Sequence, residues 1–134
     1  MTRVLLVDDE PLVLIGMQGM LNWAALGYEV VGTARNGAEA LRAVQEKQPD
    51  IVVSDIRMPV MDGFAVLSEM NRSHWIEDIP VIMISSEDAD TVVRHAYELG
   101  VSDYVSRPFD AGVVYRRVFN TIKLYAKQRR LVRM

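Results

Sequence analysis

Five short apolar runs, separated by stretches of helical spacing, constrain this chain more than any other feature. They are "RVLLV" (3–7), "YEVVGTA" (28–34), "IVVSD" (51–55), "PVIMIS" (80–85) and "DYVS" (103–106). A strand with one wet face alternates apolar and polar residues, whereas a run apolar at nearly every position is covered on both faces. Between the first two runs, Pro11 opens a helix reaching about Asn22, with Leu12, Ile15 and Leu21 among its core candidates. Residues 36–48 have a helical period that turns Ala40, Leu41 and Val44 inward, and Pro49 ends them. Phe64, Val66, Leu67 and Met70 mark a third helix, and Ala89 to Leu99 form a fourth, stopped by Gly100. A fifth starts near Asp110, with Val114, Val118, Ile122 and Tyr125 toward the sheet. Buried strands alternating with helices predict an α/β fold, a (βα)5 three-layer sandwich around a parallel sheet. Right-handed crossovers leave few topologies, of which the flavodoxin-like order 2-1-3-4-5 is the common small one.

The 134 residues suit one domain with one core. There is no cysteine, which removes disulfides and thiolate chemistry. The start, "MTRVLLVDDE", is too acidic for a signal peptide, and no apolar stretch approaches the roughly 20 residues of a membrane span. A cytoplasmic domain without membrane contact is expected. The net charge of −3 hides a division: from Ala111 onward there are seven basic residues and no acid, so the remainder carries −10. The expected domain covers residues 1–124. Residues 125–134 read as a C-terminal extension of the fifth helix, either a basic end suited to the helix dipole or a linker to an output domain. The basic tail lacks a nucleic-acid recognition motif, so no direct contact with nucleic acid is expected.

In an open α/β sheet, ligands gather beyond the carboxyl ends of the strands. The first strand ends in Asp8, Asp9 and Glu10, the third in Asp55, the fourth in Ser85 and Ser86, and the fifth in Arg107. These four ends are neighbours in the expected order. Two carboxylates 4 Å apart at an effective dielectric of 20 repel by roughly 4 kcal/mol, so such a group takes up a proton or a cation. Carboxylates, a carbonyl and waters suit Mg2+ or Mn2+. A metal-bound carboxylate flanked by a cation and a hydroxyl is placed to accept a phosphoryl group. Taken singly, Asp9 or Glu10 reads as a helix cap, Asp55 as a turn residue and Arg107 as a surface arginine.

The segments "LLVDDEP", "PDIVVSDIRMPVMDG", "IPVIMISSE" and "GVSDYVSRPFD" resemble the signature segments of response-regulator receiver domains of two-component signalling. The likeness covers the chain to about Leu124. It implies that Asp55 is the phosphoacceptor, taking its phosphoryl group from a sensor histidine kinase or a phosphotransfer protein. It implies that Asp8, Asp9 and the backbone carbonyl of Arg57 hold Mg2+ together with Asp55. Ser85 corresponds to the switch hydroxyl, Tyr104 to the aromatic whose rotamer follows it, and Pro108 to a proline after a cis peptide bond. The resemblance also implies a readout surface on helix four, strand five and helix five, where Arg94, His95, Tyr97, Asp103, Arg116 and Arg117 are candidate contacts. Homodimerisation through that face and an output domain in cis follow from the same likeness. Such a domain is not a classical enzyme; at most it catalyses its own phosphorylation and dephosphorylation.

One departure is plain. Arg107 stands where the family has lysine, and a planar guanidinium prefers bidentate contact where an ammonium is a point charge. Two expectations follow: phosphorylation with altered coupling to the switch face, or an internal ion pair that sets the domain in one state as a non-phosphorylated interaction scaffold. Arg57 and Glu87 are expected to flank the pocket entrance, where pairing would hinder attacking water; the bland reading is an exposed pair worth at most about 1 kcal/mol. A flavin carrier shares the topology but needs a hydroxyl- and glycine-rich first loop, and "VDDEP" would repel its phosphate. A haloacid-dehalogenase-type phosphatase needs Asp-x-Asp, whereas these acids are adjacent. His74 and His95 lack metal-ligand spacing, and Trp23 and Trp75 read as packing residues.

Overall fold

The computed structural model describes residues 2–20, 23–25, 27–55, 62–73, 75, 79–85, 90–106, 113–114 and 116–124. Strands β1 (Thr2–Val7), β2 (Tyr28–Ala34), β3 (Ile51–Asp55), β4 (Val81–Ser85) and β5 (Asp103–Ser106) alternate with helices α1 (Pro11–Met20), α2 (Gly37–Lys47), α3 (Gly63–Arg72) and α4 (Asp90–Glu98). Residues 113–114 and 116–124 are helical and form α5. All four strand pairings are parallel, in the order β2-β1-β3-β4-β5. This is the expected flavodoxin-like sheet.

The unbroken apolar runs produce two cores. Every residue of β3 and β4 is buried. Along β1, Val4 and Leu6 join Leu14 and Met17 of α1 and Val114 and Val118 of α5 on one face. Leu5 and Val7 join Ala40 and Val44 of α2 and Val66, Leu67 and Met70 of α3 on the other. The β1–β2 register slips between Val4 and Leu5, which pair with Val30 and Gly32 and leave Val31 as an extra residue on the edge strand. Such a bulge blunts an edge against adventitious pairing.

Side chains fix the helix ends. Asn36 caps α2 by accepting a 2.9 Å bond from the Glu39 amide, and its own amide donates to the Glu39 carboxylate. Asp62 caps α3 through the Ala65 amide at 2.9 Å. Gly27 and Gly100, at φ 85 and 102, turn the chain before β2 and after α4. At the end of α2 the left-handed position falls on Gln48, φ 48, directly before Pro49.

The face of α1 differs from expectation. Leu12 is 81% exposed and Ile15 64% exposed, while Leu14 and Met17 are buried. "PLVLIGMQGM" carries no charge, so its apolar residues surround the helix and leave its phase open. Leu21 lies outside the described residues, as does Tyr125. Trp23 is buried, donates its indole N–H to the Met17 carbonyl at 3.0 Å, and meets Tyr28 edge-on. Trp75 packs on the opposite core.

Candidate metal centre

The strand ends meet at one rim. β1 delivers Asp8 and Asp9, and the adjacent β3 ends in Asp55. One carboxylate oxygen from each of the three lies within 4.8 Å of the others. Asp8 is 1% and Asp55 9% exposed. The Asp8 backbone N–H donates to the Ala34 carbonyl at 3.0 Å, and its Oδ1 accepts the Glu10 amide at 3.1 Å, so two neighbouring segments hold this carboxylate in place. Three buried or half-buried carboxylates at this spacing need positive charge, and hard oxygen donors of this kind fit Mg2+ or Mn2+. The donor chemistry therefore fits the metal expected from the sequence.

Ser85 closes β4, 2% exposed, one residue beyond Ile84, the register partner of Asp55. Tyr104, 8% exposed, pairs with Met83 and belongs to the core on the α2–α4 side. The two-residue alternation of a strand puts Ser85 on that side as well, diagonal to Tyr104. Arg107, Pro108, Arg57, Ser86, Glu87 and His74 lie outside the described residues.

Among the candidate contact residues, Asp103 and Arg117 form a two-pronged pair, with Nη1 at 2.9 and 3.1 Å from the two carboxylate oxygens. Tyr97 of α4 stands beside them. Burial pushes its hydroxyl above the usual tyrosine range, the Asp103 charge adds to this, and Arg117 opposes it. His95 is exposed, its ring 4.7 Å from that of Phe64 on α3. Arg94 and Arg116 are exposed.

Sequence reading missed Ser54. It is 1% exposed, and its hydroxyl donates to the backbone carbonyl of Asp55 at 2.9 Å. The available signal was a hydroxyl inside an otherwise apolar strand, immediately before the candidate phosphoacceptor.

A doubly covered parallel sheet in this order, with carboxylates gathered beyond the ends of β1 and β3, defines a CheY-like α/β domain. The family model described as the response regulator receiver domain matches residues 4–119, and the chain belongs to that family. It is 39% identical over 109 residues to the transcriptional regulatory protein KdpE of Mycobacterium tuberculosis, covering 81% of this chain and 46% of KdpE. The signal receiver domain of the response regulator NarL from M. tuberculosis superposes with a TM-score of 0.82 at 30% identity, covering 91% of this chain and 96% of that one. In a CheX–CheY–BeF3–Mg2+ complex from Borrelia burgdorferi, the matching chain superposes with a TM-score of 0.79 at 29% identity, covering 88% and 87% of the two chains. The chain spans 46% of the length of KdpE and between 26% and 29% of two other curated regulators that it matches. No helix among the described residues is long and apolar enough to cross a membrane.

Proposed function

We propose that this domain is a phosphorylation switch in which Asp55 is the phosphoacceptor and a histidine kinase or phosphotransfer protein the donor. The observation that carries this is the gathering of Asp8, Asp9 and Asp55 oxygens within 4.8 Å at the carboxyl end of the sheet. An Asp55 oxygen attacks the phosphorus of a phosphohistidine; the O–P bond forms as the N–P bond breaks, and the imidazole leaves. A divalent cation, when bound, supplies charge neutralisation for the phosphoryl oxygens. Asp8 and Asp9 would hold it together with the Arg57 carbonyl. Membership of a family that includes a CheY bound to BeF3 and Mg2+ supports this reading.

Ser85 is proposed to turn its hydroxyl onto the phosphoryl group, with Tyr104 following on the same face of the sheet. Arg107 is proposed to meet the same charge, its guanidinium altering the coupling between phosphate and the α4–β5–α5 face. That face, carrying Tyr97, Asp103 and Arg117, is the proposed docking surface for an output domain or a second copy. The relatives' regulator names support an output domain beyond residue 124, with 125–134 as its linker.

Acetyl phosphate supplies the test. The expected result is a Mg2+-dependent mass gain of one phosphoryl group, lost in Asp55→Asn. Absence of that gain in the intact chain, together with absence of Mg2+ binding, would leave an interaction scaffold on the receiver fold.

A further inference from the structure

We infer that Ser54 is a positioning residue for Asp55, acting through the main chain of the phosphoacceptor itself. The inference rests on the reading of Asp55 given above. Ser54 sits in the middle of the sheet, in register with Val7 of β1 and Met83 of β4. Both neighbours are wholly buried and apolar. By strand alternation its side chain falls on the same face as that of Val52, the α2–α4 side. A hydroxyl there costs desolvation that an alanine would avoid, and it is tolerated only when hydrogen-bonded. Its bond goes to the carbonyl of the next residue, Asp55, at 2.9 Å.

That carbonyl belongs to Asp55, the last residue of β3. The hydroxyl fixes the rotation of the Asp55 peptide about its Cα, and the carboxylate departs from the same Cα. Asp8 is fixed independently, by the Ala34 carbonyl and the Glu10 amide. Ser54 therefore supplies on the β3 side the constraint that these bonds supply on the β1 side. A carboxylate that must meet two others within 4.8 Å gains from being aimed beforehand.

A purely stabilising hydroxyl and a positioning one predict different things. If Ser54 only stabilised the fold, Ser54→Ala would lower the denaturation midpoint and leave ion binding unchanged. If it aims Asp55, Ser54→Ala weakens ion binding in the folded protein whatever its midpoint. Mn2+ affinity by calorimetry and the acetyl phosphate reaction rate should then each fall roughly fivefold, the equivalent of one neutral hydrogen bond. Ser54→Thr keeps the donor and should restore both. Ser54→Cys, a weak donor of similar size, should fall between and serves in place of alanine if that variant does not fold. Wild-type Mn2+ affinity and reaction rate in folded Ser54→Ala would overturn the inference, as would a loss that threonine does not restore. If the wild-type chain takes up no phosphoryl group, the function proposed above fails, and Ser54 is judged on the Mn2+ affinities alone.

Discussion

Two residues are held in costly states, for different reasons. Gln48 adopts φ 48 and ψ 62, the left-handed conformation that ends α2, and it does so directly before a proline. Both circumstances penalise a residue with a Cβ. Its useful contribution is a backbone N–H bonded to the Val44 carbonyl at 3.1 Å, which any residue retains. Gln48→Gly should therefore stabilise the domain by about 0.5–1 kcal/mol, seen as a higher urea midpoint with an unchanged slope. Asp8 is costly because its charge is 1% exposed beside two others. Asp8→Asn keeps the oxygen that accepts the Glu10 amide and removes the charge. In chelator-treated buffer this variant should be more stable than wild type by about 1–3 kcal/mol. Mg2+, proposed above to bind the folded cluster, should stabilise the wild type, and the variant far less, so the order narrows or reverses as metal is added. A variant less stable than wild type without metal would show that the cluster does not repel.

At the scale of elements, the sequence was legible where chemistry singled out one answer. The limits of β2, β3 and β5 follow from apolar runs bounded by glycine, proline and acids, and α2 follows from a clear period between Asn36 and Pro49. Carboxylates after β1 and β3 could be brought together because strand order dictates which ends are neighbours. The phase of α1 was not legible, since an uncharged helix rich in apolar residues offers several equivalent faces. Ser54 was not legible either, because its meaning depends on one rotamer and one carbonyl rather than on spacing. The α1 result gives a sharp contrast. Leu14→Ala, at a 5% exposed position against the sheet, should cost about 3 kcal/mol. Leu12→Ala, at an 81% exposed position two residues away, should cost less than about 0.5 kcal/mol. Equal losses in urea denaturation would mean that the helix packs through a different face.

At the scale of the molecule, the two cores are separated by a single sheet yet cannot be energetically independent. Ile82 and Met83 are consecutive residues of β4, and they face opposite cores. The same alternation runs through β1, β3 and β5, so loosening either helix layer exposes strands whose other sides hold the second layer in place. Local opening confined to one face would leave a sheet apolar on its open side, at a cost of about 25 cal/mol for each Å2 of apolar surface exposed. The domain should therefore unfold as one cooperative unit. Its two tryptophans make this observable, since Trp23 is buried in the α1–α5 core and Trp75 packs against the α2–α4 core. In Trp75→Phe the fluorescence reports one layer, and in Trp23→Phe it reports the other. Within each single-tryptophan variant, the fluorescence transition in urea should coincide with the loss of far-ultraviolet circular dichroism, with the same midpoint and slope. A fluorescence transition that precedes the loss of secondary structure in only one variant would mean that its layer detaches while the sheet and the opposite helices remain folded.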